Sequence, residues 1–158
     1  MKSLVVYYSR TGNAKFVAET IAAEMGSDIE EIVDLKKREG KLGWMSAGRD
    51  ATGGRETQIK PTTKVPADYD LIIVGTPVWA WRPSAAIKTY MGKNDLSGKK
   101  VALFFTMDNA LRQAVEKTKA LGPNAVFIGE LALAKALENK EESAKKIADW
   151  CTKLKTQI

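Results

Sequence analysis

Two uninterrupted apolar runs constrain the fold of this chain most strongly. They are residues 71–75 (LIIVG) and 101–106 (VALFFT), and a helical pattern at 84–91 lies between them. Strands that are apolar throughout are typical of parallel sheets, whose two faces are both covered. Parallel neighbours also need a long crossover, which is usually a helix. The pattern therefore predicts an α/β fold with helices on both sides of a parallel sheet.

The same alternation extends over the rest of the chain. Further strands are predicted at 4–8, 28–33 and 125–128, and further helices at 13–25, 110–121 and 141–154. A length of 158 residues fits one domain, and we expect residues 1–158 to form it.

The region between the second and third strands contains one apolar-aromatic island at 43–51, GWMSAGRDA. A short helix there would supply the missing crossover. We favour a covering helix whose Trp44 faces the core, and a lid formed by Trp44, Met45 and Arg49 over a bound ring is the alternative.

The cysteine and histidine content excludes several kinds of site. The chain has one cysteine, Cys151, and no histidine. An intrachain disulfide, a Cys/His zinc site and a Ser-His-Asp triad are therefore impossible. Cys151 lies at helical spacing from Ile147 and Leu154, which predicts a buried structural thiol.

The net charge of +6 raises the question of nucleic acid, but the lysines occur as scattered pairs rather than as a block. We expect a solvated lysine-rich surface and no nucleic-acid binding, with an acidic protein partner as the second interpretation. No apolar run approaches the roughly 20 residues of a membrane helix, so no membrane insertion is expected. The first apolar run is also shorter than the apolar core of a secretory signal, and we expect a cytoplasmic protein.

Parallel α/β sheets bind ligands beyond the carboxyl ends of their strands, so the loops there are the places to seek function. After the first strand come Ser9, Arg10, Thr11, Gly12, Asn13 and Ala14, where the helix begins. Unpaired N–H groups at a helix N-terminus favour an anion, and the hydroxyl and amide side chains add donors. Such residues also cap helices without any ligand. Both G-x-x-x-x-G-K-[ST] and G-x-G-x-x-G are absent, which argues against triphosphate and dinucleotide sites.

The segment VVYYSRTGNAKFVAETIA at 5–22 resembles the phosphate loop of the flavodoxins, [ST]-x-T-G-x-[ST]. The resemblance implies a site for the 5′-phosphate of FMN. Ser9, Thr11, Gly12 and Asn13 match the pattern, and Ala14 departs from it because the family often has threonine there. One lost neutral hydrogen bond costs roughly 0.5–1.5 kcal/mol, at most about tenfold in affinity.

The second loop lies within GTPVWAWRPSAAI at 75–87 and contains Thr76, Pro77, Val78, Trp79, Ala80 and Trp81. Its tryptophans either fold back as a small core against 43–51 or stack on a flat heterocycle. The flavodoxin resemblance, through T-P-x-[YW], favours stacking by Trp79, with Trp81 as the second choice. No glycine lies between Pro77 and Pro83, so this loop lacks the residue that most easily lets a peptide turn over beside the ring.

The third loop contains Thr106, Met107, Asp108 and Asn109. Asp108 or Asn109 is expected to cap the following helix. If a flavin is bound, the resemblance implies that this loop lines the pyrimidine side of its ring.

The resemblance covers nearly the whole chain. It implies a flavodoxin-like three-layer sandwich of the short-chain type, with a five-stranded parallel sheet in the order 2-1-3-4-5. It also implies electron transfer through non-covalently bound FMN, with no catalytic side chain. An FMN-dependent NAD(P)H:quinone-type reductase and a cofactor-free binding module are the alternatives, and we expect a carrier rather than a stand-alone enzyme. Flavodoxins are usually acidic, so the +6 charge departs from the family and suggests acidic redox partners.

Overall fold

The computed structural model describes residues 1–36, 45 and 56–158. The island at 43–51 therefore lies largely outside the described residues, including Trp44 and Arg49. Met45 is described, and its side chain is exposed.

Five parallel strands form the sheet. They are β1 (Ser3–Tyr7), β2 (Asp28–Glu31), β3 (Leu71–Trp79), β5 (Lys100–Met107) and β6 (Val126–Ala134), in the order β2-β1-β3-β5-β6. A two-residue strand, β4 (Arg82–Pro83), pairs antiparallel with the end of β3. With β4 set aside, this is the predicted order 2-1-3-4-5, and the predicted fold class is confirmed.

The described helices lie in two layers. They are α1 (Asn13–Met25), α2 (Ala85–Lys93), α3 (Ala114–Lys119) and α4 (Lys140–Lys155), with a 3₁₀ turn at Pro66–Asp68. None of the helices within the described ranges is both long enough and apolar enough to cross a membrane.

The strands bury both of their faces, as their apolar runs predict. Along β1, Leu4 and Val6 belong to the core that α2 and α3 cover, whereas Val5 and Tyr7 belong to the core beneath α1 and α4. This alternation follows from the two-residue period of a strand. The result is a sheet between two helical layers, with the carboxyl ends of β1, β3 and β5 at one edge.

Helix α4 buries the thiol of Cys151, as predicted. Burial raises the pKa of Cys151 to about 11, so its reactive thiolate form is disfavoured at neutral pH. Cys151 is a packing residue.

Three elements near the carboxyl edge differ from their predicted bounds. One is β6, which continues to Ala134 rather than ending at residue 128. Strand β3 continues past Gly75 to Trp79, because its last residues pair with β5 and then with β4. Helix α3 begins at Ala114 rather than at residue 110, after a turn in which Arg112 has a φ of +45°.

Candidate functional site

A cleft of about 350 Å³ opens at the carboxyl ends of β1, β3 and β5. Its volume lies in the range of small-molecule sites, roughly 300–1,000 Å³. The three predicted loops all contribute to its lining, which consists of Arg10, Thr11, Asn13, Pro77, Val78, Trp79, Ala80, Trp81, Thr106, Met107, Asp108, Asn109 and Ala110. Ala110 was not predicted. Its side chain has no polar group, and no sequence signal pointed to it.

The backbone of the first loop forms a helix N-terminus without a side-chain cap. Gly12 is the N-cap residue of α1, with φ 96° and ψ −11°. An alanine Cβ there would lie 3.3 Å from Leu137 Cδ1. The N–H groups of Asn13 and Ala14 lie in the first turn, where a helix supplies no backbone partner. Together with the positive end of the helix dipole, they make this turn suitable for an anion.

Hydrogen bonds within the first loop fix its shape and still leave donors available. The Gly12 N–H donates to Ser9 Oγ at 3.1 Å, and Asn13 Nδ2 donates to Thr11 Oγ1 at 3.2 Å. Each hydroxyl is thus an acceptor here, so its own hydrogen can be donated elsewhere. The Leu137 N–H donates to Asn13 Oδ1 at 3.0 Å, which fastens this loop to the segment after β6. Ser9 itself does not line the cleft.

Two further predicted residues are buried away from the cleft lining. The side chain of Ala14 packs into the core beneath α1, so only its backbone N–H group remains for the expected contact with an anion. Thr76 is buried, and its Oγ1 accepts the Ser84 N–H at 2.9 Å. Ser84 in turn caps α2, because its Oγ accepts the Ile87 N–H. Thr76 therefore joins the second loop to α2.

The second loop is a tight hairpin, which the sequence did not predict. Trp79 pairs with Arg82, so Ala80 and Trp81 form a two-residue turn between β3 and β4. Both turn residues have positive φ, 48° and 60°. Such hairpin turns normally contain Asn-Gly or similar residues, because other side chains are strained at positive φ. Strain of this kind is often found at functional sites.

The two tryptophans occupy different environments in the cleft. Trp79 is 8% exposed and packs edge-to-face on Tyr8, with ring centroids 5.4 Å apart. Trp81 is 47% exposed, and the guanidinium carbon of Arg112 lies 4.3 Å from its ring centroid. Trp79 therefore belongs to the wall of the cleft and Trp81 to its rim. The alternative of a small core against 43–51 lies outside the described residues.

The third loop supplies exposed polar groups rather than a helix cap. Gln113 is the N-cap residue of α3, so the expectation that Asp108 or Asn109 caps this helix is wrong. The turn before Ala114 separates both residues from the helix. Asp108 and Asn109 are exposed and line the cleft, where Asp108 is the carboxylate and Arg10 the cation among the described lining residues.

Comparison with known proteins gives the family. A flavodoxin family model matches residues 2–154. The chain belongs to the flavodoxin family. Comparison with curated protein sequences finds no significant match.

Solved structures of flavoproteins share the fold of this flavodoxin. A candidate flavoprotein from Bacteroides uniformis has a TM-score of 0.79 at 23% identity, covering 96% of this chain and 97% of its own. A flavoprotein from Lactobacillus acidophilus, solved in complex with FMN, has a TM-score of 0.73 at 25% identity, covering 87% and 97%. Flavodoxin 2 from Bacillus cereus has a TM-score of 0.61 at 20% identity, covering 100% of both chains.

Proposed function

We propose that this flavodoxin binds FMN non-covalently in the cleft and transfers electrons between partner proteins. The observation that carries the proposal is the meeting of two features at one cleft: the uncapped N-terminus of α1 and the tryptophan wall of the β3–β4 hairpin. The first suits an anionic phosphate and the second a flat aromatic ring. The Lactobacillus acidophilus relative, solved in complex with FMN, supports the choice of flavin.

The residues present fit the two ends of such a ligand. Backbone N–H groups of Asn13 and Ala14 and the hydroxyl of Thr11 are the proposed phosphate donors. Gly12 supports this role, because it has no Cβ and can therefore adopt the positive φ of this turn and let a ligand approach the backbone closely. Trp79 is the proposed stacking residue, since it lines the cleft and Tyr8 holds its ring in place. The substitution Trp79→Phe should then weaken FMN binding more than Trp81→Phe, when both variants are titrated with FMN and flavin fluorescence is followed.

When bound, the flavin supplies the redox chemistry by accepting and returning electrons. In this proposal the side chains of the chain bind and orient it, and none acts as a general acid or base. The third loop, from Thr106 to Asn109, is proposed to line the pyrimidine side of the ring with backbone groups.

The positive charge of the chain sets a further expectation for the flavin. The reduced flavin ring is negatively charged, and a protein of net charge +6 should stabilise it more than an acidic protein does. The reduction potential of the flavin should therefore be higher here than in an acidic flavodoxin. A potentiometric titration measures this potential. A very low potential for full reduction would contradict the expectation.

The same charge favours acidic redox partners, which small electron acceptors of opposite charge can test. The photoreduced, FMN-loaded protein is mixed anaerobically with ferricyanide or with hexaammineruthenium(III) at increasing salt. The rate with the anionic ferricyanide should fall with salt, and the rate with the cationic ruthenium complex should rise, because salt screens attraction and repulsion alike. The reverse pattern would contradict a basic docking face.

An electron carrier and a reductase differ in whether the protein oxidises NADH or NADPH without a partner protein. The FMN-loaded protein is incubated with NADH or NADPH and a quinone, and absorbance at the nicotinamide band is followed. The carrier proposal predicts no turnover above that of free FMN. Sustained oxidation would instead identify an NAD(P)H:quinone-type reductase.

A further inference from the structure

Arg10 carries a buried donor that the fold does not use. It follows Ser9 in the loop after β1 and lines the cleft. Its Nε is buried and has no hydrogen-bond partner within the described part of the chain, a state that only the Tyr90 hydroxyl shares there. An unpaired buried donor is unfavourable, and a guanidinium stays charged at any pH that proteins tolerate. The arrangement calls for an acceptor that the described residues do not supply.

Ion pairing within the protein does not account for this cation. The ion pairs recorded among residues 1–36, 45 and 56–158 do not include Arg10. Asp108 lines the same cleft, but among the described residues it forms no ion pair with Arg10. No carboxylate of the described residues therefore compensates the desolvation of the Arg10 Nε group, although the residue as a whole is only half-buried.

The loop that contains Arg10 offers fewer neutral side-chain donors than its motif predicts. Ala14 lacks the hydroxyl that the motif has at its last position, and its side chain is buried in the core. One N–H of the Asn13 amide is already used, because Asn13 Nδ2 donates to Thr11 Oγ1. A guanidinium in the same loop can supply the missing donors, and it supplies a full positive charge with them.

We propose that Arg10 contacts the phosphate of FMN and determines the selection of the phosphorylated over the unphosphorylated flavin. The inference rests on the proposed function and adds a charged residue to a loop whose motif is neutral. A phosphate monoester carries about −1.5 to −2 charges at pH 7, which makes it the strongest available partner for a guanidinium. The position of Arg10, two residues before the N-cap Gly12, supports contact with the phosphate rather than with the ring.

The test compares FMN with riboflavin, which lacks the phosphate. Dissociation constants are measured by fluorescence quenching for the wild-type protein, Arg10→Gln, Arg10→Lys and a control, Lys15→Gln. Lys15 lies in the first turn of α1, but it is exposed, 4.0 Å from Glu19, and absent from the cleft lining. Its substitution removes the same charge close to the same loop.

Arg10→Gln should weaken FMN binding by roughly 10- to 100-fold, the value of a charge-assisted hydrogen bond, and leave riboflavin binding within about twofold. Arg10→Lys should restore part of the loss in FMN affinity, and Lys15→Gln should leave the affinity for both flavins unchanged. The ratio of the two constants within one variant cancels any shared loss of stability. Arg10→Lys keeps the test usable if Arg10→Gln does not fold.

Two other outcomes have separate meanings. Equal loss of FMN and riboflavin in Arg10→Gln, or unchanged FMN binding, would overturn the role of Arg10 and leave the proposed function standing. A folded wild-type protein that binds neither flavin would overturn the proposed function and this inference with it.

Discussion

Replacing Gly12 with alanine should both destabilise this flavodoxin and weaken its binding of FMN. The φ of 96° at Gly12 lies beyond the left-handed region that other residues can enter, which is centred near +57°. The new Cβ would lie 3.3 Å from Leu137 Cδ1, a contact that a flexible side chain can relieve. Backbone strain is therefore the main cost.

The expected change in the free energy of unfolding follows from two opposing terms. A non-glycine residue in a sparsely populated region costs roughly 1–3 kcal/mol. Alanine also restricts the unfolded chain, which returns about 0.4–1 kcal/mol. We expect a net loss of about 1–2 kcal/mol. If the loop relaxes instead, the first-turn N–H groups move and FMN affinity falls.

Gly26 provides a matched control at the other end of the same helix. It is the C-cap of α1, with φ 63° and ψ 36°, and nothing lies within 4 Å of the position that an alanine Cβ would take. Gly26→Ala should cost about 0.5–1 kcal/mol, because its dihedrals are within the left-handed region. It should not change FMN binding, since it is remote from the cleft.

Urea unfolding of the apoprotein measures the stability of each variant, and titration with FMN measures affinity. We expect both variants to lose stability and Gly12→Ala alone to lose affinity for FMN. A Gly12→Ala protein as stable as the wild type would refute the strain argument. Equal affinity losses in both variants would refute the assignment of the loop to the phosphate.

Three further predictions concern the scaffold. The Tyr69 hydroxyl donates to Asp28 Oδ2 at 2.7 Å, and this bond raises the pKa of Tyr69 to about 12. Its contribution to stability is present below pH 10 and is lost as the pH rises towards 12. The free energy of unfolding in urea should therefore fall less steeply over that interval in Tyr69→Phe than in the wild type. Identical pH profiles for the two proteins would contradict this. Cys151 should react with a thiol reagent only as fast as the protein opens, and fast labelling of the native protein would show that the thiol is accessible. Gly75→Ala should cost at least about 3 kcal/mol in the same unfolding assay, since overpacking a close-packed core is destabilising. The new Cβ would overlap the ring of Phe104, and a variant of wild-type stability would show that this ring can move aside at little cost.

The elements with strong local signals were predictable from the sequence. Helix α1 has its predicted bounds, because Gly12 and Gly26 flank an amphipathic segment and both adopt positive φ. The continuous apolar runs became the central strands β3 and β5. The strand order followed from the family resemblance carried by the first two loops.

The β3–β4 hairpin was missed because its turn residues carry no turn signal. Ala80 and Trp81 adopt positive φ although neither alanine nor tryptophan favours it. The surrounding pairing of Trp79 with Arg82 imposes the conformation. Local propensity cannot reveal a conformation that tertiary contacts enforce.

The details of the first loop also depended on contacts distant in sequence. Asn13 matched the loop motif, but the bond from Leu137 to its Oδ1 joins residues 124 positions apart. The burial of Arg10 Nε likewise depends on the fold, which brings β1, β3 and β5 to one edge of the sheet. Most residues of the cleft could therefore be predicted from the sequence, but the hydrogen-bond partners of their polar atoms could not.

Binding of FMN in the cleft is tested most directly by titrating the purified protein with FMN and following flavin fluorescence and the visible absorption spectrum. We expect saturable binding of one FMN per chain, with the fluorescence quenched and the flavin bands shifted by stacking against tryptophan. Added FMN that remains fully fluorescent, with a spectrum identical to that of the free flavin, would contradict it.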